Sequence, residues 1–195
     1  MRFRSAFILI LIASAAVAVL GVTLYGWNIQ GLQATTRFSG RLSLGIFTFI
    51  FLFHPRRKEF LWSILSSSYF LIFAIVHGIH LAELLSYVML SGIELVPLRV
   101  AGGFLAYALI FIMPWLQYRM DQRKLSEDRF RQISYVYLFY VWFVFFMTYL
   151  SRVQGTFPNA GGSYAEHVAL MAFVNIILGL KIVQLFARRQ SGAPK

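Results

Sequence analysis

Cysteine is absent from this chain of 195 residues. The absence excludes a disulfide framework, a thiolate metal site and a redox dithiol. Any metal ion must therefore be held by histidine, methionine or oxygen ligands. Charged residues are also scarce, at 13% of the sequence, whereas 59% of the residues are hydrophobic. A soluble domain needs more polar side chains than this to cover its surface, so the composition predicts an integral membrane protein.

Several signatures of enzymes and transporters are absent as well. The sequence shows no glycine-rich phosphate loop and no nucleophile-base pair, and its loops do not exceed about 16 residues. Loops this short leave no room for a soluble nucleotide- or flavin-binding domain in this chain. Acidic residues are missing from the middle of every apolar run, which disfavours a proton-coupled transporter, because such transporters generally use a titrating carboxylate.

Six apolar runs, most of them about 20 residues long, can each cross a bilayer as a helix. The predicted fold is therefore all-α, a six-helix transmembrane bundle that forms a single domain over residues 1–195. The predicted spans are residues 5–27, 39–54, 60–89, 98–116, 133–150 and 164–186. The first run begins like a signal peptide, but it continues past the small residues at 16–18, so we interpret it as an uncleaved helix.

The distribution of lysine and arginine predicts the orientation of the bundle. Fourteen of the 18 basic residues fall on the side that carries both termini, and the other side receives Arg37, Arg41, Arg99 and Arg152. Both termini are therefore predicted to be cytoplasmic. The net charge of +11 comes from short loops rather than from a basic solvated domain, so the expected partner is the lipid bilayer and not nucleic acid.

A histidine inside a membrane span suggests a functional site, because a buried imidazole needs a partner. His77 and His80 lie three residues apart in the third span, where a helix places them near one face. At a rise of about 1.5 Å per residue, His77, His80, Met147 and His167 are predicted to form one layer in the outer half of the membrane. These side chains suit axial ligation of haem iron by two histidines or by histidine and methionine. His77, His80 and His167 together are also a candidate zinc or copper site, although no carboxylate or thiolate is placed to join them.

Helical phase along the third span predicts one shared face for Ser63, Ser66, Phe70, Phe73 and His77. Small and aromatic residues on such a face suit the wall of a planar cofactor. They suit ordinary packing between membrane helices equally well. The periodicity therefore leaves both interpretations open.

Three polar residues near the membrane surfaces have competing interpretations. Arg41, at the outer end of the second span, either pairs with haem propionates or extends to lipid phosphate. Glu83, one turn beyond His80, either orients an imidazole or is solvated. His54 begins a basic loop and is predicted to be a solvated interface residue.

Short motifs in the chain resemble a known membrane family. They are TRFSGRLSL at 36–44, HPRR at 54–57, AIVH at 74–77 and FRQI at 130–133. Over about residues 36–150 they are similar to the ferric reductase-like transmembrane domain, in particular to the haem-binding membrane subunit of the bacterial periplasmic methionine sulfoxide reductase system. The pair Gly40-Arg41 matches the family's Gly-Arg near the start of helix two. The resemblance implies haem b, a bacterial inner membrane, quinol as electron donor and a redox partner at the outer face.

The family pattern that the resemblance implies is incomplete in this chain. In the family, helices three and five each present two haem-ligating histidines, one toward each side of the membrane. His77 matches the outer position on helix three, but the inner position falls near Ser63. On helix five the inner position is Ser134, and the outer position is Met147, or Thr148 with a slip of one residue. At most one haem, in the outer leaflet, is therefore expected, with His77 as one ligand and Met147 or His167 as the other.

Two functions remain open on these observations. The first is a b-type cytochrome-like protein that passes electrons from quinol or a partner protein to an acceptor at the outer face. The alternative is a haem-free membrane relative that acts as an assembly partner or as a small-molecule permease, which the serines in place of the family's histidines favour.

Overall fold

The computed structural model describes residues 3–55, 58–93, 97–156 and 161–190. Over these residues the chain forms helices and no strand: α1 (Phe3–Tyr25), α2 (Ile29–Phe53), α3 (Lys58–Leu65), α4 (Tyr69–Ser91), α5 (Pro97–Asp121), α6 (Glu127–Val153) and α7 (Tyr164–Gln190). Six of them, all but the short α3, are long and apolar enough to span a membrane. The predicted all-α bundle of six transmembrane helices is thereby confirmed, and with it a lipid bilayer as its surroundings.

Local sequence signals determine where several helices begin and end. The side chain of Asn28 caps α2 by accepting hydrogen bonds of 2.8 and 3.0 Å from two backbone N–H groups of the first turn. At the start of α7, the Glu166 carboxylate accepts from the Ser163 N–H at 3.0 Å, and the Ser163 hydroxyl accepts from the Glu166 N–H at 3.2 Å. This reciprocal pair is a capping box. Gly92 follows α4 in the left-handed conformation, with φ of 67°.

Helix α2 begins ten residues before the predicted second span, at Ile29 instead of residue 39. The polar side chains in this first part find partners without leaving the helix. Gln33 Nε2 donates to the Tyr87 hydroxyl of α4 at 2.8 Å, and Thr36 Oγ1 donates to the Leu32 carbonyl at 2.9 Å. Because these groups are satisfied within and between helices, the polar composition does not interrupt α2.

The predicted third span is two helices in the structure, since α3 and α4 are separated by the serine run 66–68. Ser66 is buried and has a φ of 81°, a left-handed conformation that ends the helix. Its hydroxyl accepts a hydrogen bond of 3.4 Å from the Ser68 N–H, and Gln117 of α5 donates to the Ser67 carbonyl at 2.7 Å. Serine side chains offer the backbone such alternatives to helical hydrogen bonds, and three in succession break the helix here.

This break corrects the predicted face of the third span. Phe70, Phe73 and His77 all lie on α4 and are buried, as the helical phase predicts. Ser63 instead lies exposed on α3, where its hydroxyl donates to a carbonyl of that helix, and Ser66 lies in the break itself. The prediction of one continuous face is therefore wrong for the two serines, because the helix does not run through them.

The chain divides into two compact units, Met1–Val141 and Trp142–Lys195. In the first unit α2 packs against α1 and α4, and α4 packs against α5. The core between these helices is aromatic and contains fully buried rings at Phe47, Phe51, Phe70 and Phe73. In the second unit, the Trp142 indole of α6 donates to the Val174 carbonyl of α7 at 2.9 Å.

Helices α1 and α2 approach each other closely at Gly21. A Cβ atom at this position would clash with Thr35 Oγ1 and lie 2.7 Å from the Thr35 backbone nitrogen. Thr35 Oγ1 also donates a hydrogen bond of 3.3 Å to the Ala18 carbonyl across the same contact. Small residues at helix crossings permit such close backbone approach in membranes.

Candidate functional site

Helices α2 and α4 are antiparallel and meet along a row of polar side chains. Three hydrogen-bonded pairs, which we call the polar seam, join the two helices: Gln33 with Tyr87, Ser39 with His80, and Ser43 with His77. Beyond the last pair the contact becomes apolar, and the rings of Phe47 and Phe73 lie 5.7 Å apart. The polar seam therefore runs from the end of the helix pair into the bundle and stops at His77.

His77 of α4 is buried, with 8% of its surface exposed. Its Nδ1 lies 2.6 Å from the Ser43 hydroxyl of α2. Aromatic rings surround the imidazole, with ring centroids at 4.7 Å for Tyr107 of α5 and at 5.3 Å for Phe73 of α4. Three helices thus hold this side chain in one orientation.

His80 occupies the next position along the polar seam. Its Nδ1 lies 3.0 Å from Ser39 Oγ, and that hydroxyl lies 3.1 Å from the Thr36 carbonyl, to which it donates. The ring lies against the α2 backbone, since a Cβ atom on Gly40 would come within 3.1 Å of His80 Cε1. The half-buried Glu83 carboxyl also interacts with the Ser39 hydroxyl, so Glu83 lies beside the polar seam.

Arg41 is half-buried at the middle of α2, between Ser39 and Ser43 in the sequence. Its guanidinium carbon lies 5.3 Å from the centre of the Phe38 ring. Arg37, one turn earlier, lies 5.6 Å from the Tyr25 ring of α1. Both cations are therefore held against aromatic faces, on the stretch of α2 that also carries Ser39.

The two other predicted ligands belong to the second compact unit. His167 of α7 is buried, with 6% of its surface exposed, and lies in the first turn after the capping box. Met147 of α6 has 44% of its surface exposed. Within this unit, therefore, the imidazole is enclosed by protein and the thioether is not.

The prediction that His54 is a solvated interface residue is wrong, because only 1% of its surface is exposed. Its Nδ1 lies 2.6 Å from the Tyr69 hydroxyl at the start of α4. The rings of Phe70 and Phe130 lie edge-on to the imidazole at 5.3 and 6.2 Å. The prediction was based on the basic loop that follows His54. The charge of that loop does not determine the direction of the side chain of His54, which is the C-cap residue of α2.

Sequence reasoning also missed the serines of α2 that meet the histidines. Ser39 and Ser43 are 2% and 0% exposed. A signal was present in the sequence: two serines four residues apart in an apolar run share one helical face. Small polar residues on such a face commonly bond across membrane helices. The pattern did not show which helix they would meet.

Metal binding can be examined through the side chains that the structure brings together. Among the described residues, no group of three or more His, Asp or Glu side chains is placed to hold a metal ion, so the zinc or copper alternative gains no support. Haem iron needs one or two axial ligands instead of such a cluster. His77 fits that requirement, because iron-ligating histidines commonly bond their second ring nitrogen to a neighbouring group, as Nδ1 does here with Ser43.

Comparison of the chain with protein-family models, with curated proteins and with solved structures finds no significant match. The functional argument therefore depends on the polar seam itself.

Proposed function

We propose that this protein is a membrane-embedded electron-transfer protein of the b-type cytochrome kind, with at most one haem and with His77 as an axial ligand. The observation that carries this proposal is the buried imidazole of His77, whose Nδ1 is bonded to Ser43 at 2.6 Å. An intramembrane histidine is costly to maintain and is generally functional. Its bond to a neighbouring hydroxyl is of the kind that orients iron ligands.

Haem b, when bound, supplies one-electron redox chemistry, and the chain's own residues supply its binding and surroundings. Tyr107 and Phe73 exclude water from the His77 imidazole. Arg41 and Arg37 provide positive charge on the stretch of α2 that also carries Ser39. Guanidinium groups bind carboxylates such as haem propionates through charge-assisted hydrogen bonds.

The sequence offers His167 and Met147 as candidates for a second axial ligand. His167 is the stronger ligand type, and the family positions favour Met147. Thioether ligation would raise the reduction potential relative to two imidazoles.

The proposed location is a bacterial inner membrane with both termini in the cytoplasm. Support comes from the excess of basic residues on the side of the termini, fourteen against four. In this orientation the end of the polar seam at Gln33 and Tyr87 lies toward the outer face. Electrons would come from quinol or a partner protein and leave to a redox partner at that face.

An absorption spectrum of the purified protein, oxidised and reduced, tests the proposal. Protein from haem-replete cells is expected to show a Soret band and reduced α and β bands. His77→Ala should abolish or shift the Soret band, whereas His80→Ala, which removes the neighbouring imidazole, should retain it. A colourless wild-type protein that also leaves added haemin unbound would refute the proposal.

The second candidate is a haem-free membrane protein that uses the bundle as a scaffold for assembly or permeation. It is supported by the close packing of His77 against Ser43 and Tyr107, which gives the imidazole a structural role of its own. On this account His77→Ala lowers the thermal stability of the protein but leaves partner binding or transport intact. The same spectrum separates the candidates, since only the first requires a chromophore.

A further inference from the structure

The histidines of α4 form a matched pair with the serines of α2. Ser43 meets His77 at 2.6 Å and Ser39 meets His80 at 3.0 Å, in both cases through Nδ1 of the imidazole. The serines are four residues apart and the histidines three, so the two contacts lie on adjacent turns of both helices. One pair can therefore serve as the internal control for the other.

The tautomer of the His80 pair follows from the second contact of its serine. Ser39 Oγ lies 3.1 Å from the Thr36 carbonyl, and a carbonyl can only accept, so the hydroxyl proton points there. The oxygen then accepts the bond from His80 Nδ1–H. Thr36 and Thr48 of α2 also donate to carbonyls of their own helix, at 2.9 and 2.8 Å. For Ser43 the 2.6 Å contact is compatible with either tautomer of His77, so the direction of that bond is the point to be tested.

We infer that Ser43 is a positioning residue, whose hydroxyl accepts a hydrogen bond from His77 Nδ1–H and so directs the Nε2 lone pair to haem iron. The inference rests on the proposed ligation of haem by His77. Which imidazole nitrogen binds a metal is set by the hydrogen bond that the other nitrogen makes. Ser43 is fully buried, so no water replaces its hydroxyl in holding the ring.

The hydrogen bond has a second effect on a bound iron. An imidazole that donates from Nδ1 is a more basic ligand, and loss of such a partner commonly lowers metal affinity about 10- to 100-fold. A more basic ligand favours the oxidised iron, so removing the bond should raise the reduction potential. For one electron, each tenfold change in the ratio of the two affinities corresponds to about 59 mV.

Haemin titration and redox potentiometry of Ser43→Ala, Ser43→Thr and Ser39→Ala test this role in the full-length protein. Ser43→Ala is expected to bind haemin at least about tenfold more weakly and at a higher potential. Ser43→Thr retains the hydroxyl and should restore both values. Ser39→Ala, which removes the equivalent bond to His80, should change neither. Equal behaviour of Ser43→Ala and Ser39→Ala, with the haem band present, would overturn the inference and leave the haem proposal standing.

The ¹⁵N resonances of the imidazoles provide a readout that does not need haem. The chain has four histidines, which can be assigned by substituting each in turn. His77 is expected as the Nδ1–H tautomer in the wild type and in Ser43→Thr, and as a mixture in Ser43→Ala. A wild-type Nε2–H tautomer would contradict the role of Ser43. Should Ser43→Ala fail to fold, Ser43→Cys replaces it, with an intermediate effect expected from its weaker acceptor.

Discussion

Hydroxyl groups are the partners of the buried imidazoles in the first compact unit. His77 is bonded to Ser43, and His54 to Tyr69, each at 2.6 Å. In the first pair the hydroxyl lies on α2 and the histidine on α4. In the second pair the histidine directly follows α2 and the hydroxyl lies on α4. An unpaired polar group in the bundle would lower the free energy of unfolding by roughly several kcal/mol. Each pair therefore fixes the relative position of two helices as well as the orientation of a ring.

The pair of His54 and Tyr69 should be energetically coupled. We expect His54→Ala to lower the free energy of unfolding by about 1–3 kcal/mol beyond its loss of packing, because Tyr69 would keep a buried hydroxyl without its partner. A double-mutant cycle with Tyr69→Phe, followed by thermal or denaturant unfolding in detergent, measures the coupling. A value of about 0.5–3 kcal/mol is expected for groups in contact.

Ser63→Ala on the exposed face of α3 is the control for this cycle, since its hydroxyl bonds only within its own helix. It should change stability by less than about 0.5 kcal/mol. Additive effects of the His54 and Tyr69 substitutions would show that the 2.6 Å contact contributes nothing specific.

At the level of elements, the boundary between α3 and α4 depends on the conformation of Ser66. Its φ of 81° is unfavourable for a residue with a Cβ atom. Ser66→Gly is expected to retain or slightly raise stability, because glycine adopts this conformation freely and the serine bond to Ser68 is long at 3.4 Å. Ser66→Val should destabilise the protein by more than about 1 kcal/mol.

Unfolding midpoints of the two variants in the same detergent measure this difference. The order glycine, then serine, then valine supports a left-handed break in the helix. Equal stability of the valine and serine proteins would indicate that the helix continues through residue 66.

The contact between α1 and α2 should depend on the absence of a side chain at Gly21. A methyl group there would meet the Thr35 backbone, which cannot move aside as a flexible side chain can. We expect Gly21→Ala to lower the unfolding midpoint by an amount equivalent to about 1–3 kcal/mol. Gly45 of α2 has no atom within 4 Å of its Cβ position and is the matched control.

Gly45→Ala should be neutral or stabilising by up to about 1 kcal/mol, since alanine is the better helix former. If Gly21→Ala were as stable as Gly45→Ala, the close approach of the two helices would be refuted.

At the scale of the whole molecule, the orientation in the membrane can be tested without background labelling, because the chain contains no cysteine. Trp27, which is 94% exposed between α1 and α2, and Lys124, exposed between α5 and α6, lie on opposite predicted sides. In intact spheroplasts, Trp27→Cys should react with a membrane-impermeant maleimide. Lys124→Cys should react only after permeabilisation. The reverse pattern would place the termini outside and direct the polar seam to the cytoplasm.

The sequence by itself determined the class of this protein. Apolar runs of sufficient length and few charges dictate helices that cross a bilayer, because backbone groups in hydrocarbon must be satisfied within the segment. His77 could be selected from the sequence for the same reason, since a polar ring within such a run requires a partner. These conclusions depend on composition and periodicity along one segment, which are local properties.

Tertiary structure alone decided which side chains became partners. Ser43 and His77 are 34 residues apart, and only the packing of α2 on α4 brings them to 2.6 Å. The burial of His54 likewise depends on Tyr69 and on α6, neither of which its local sequence specifies. A helical pattern gives the face on which a residue lies but not the helix that covers it. The polar seam is a property of the packed helices for this reason.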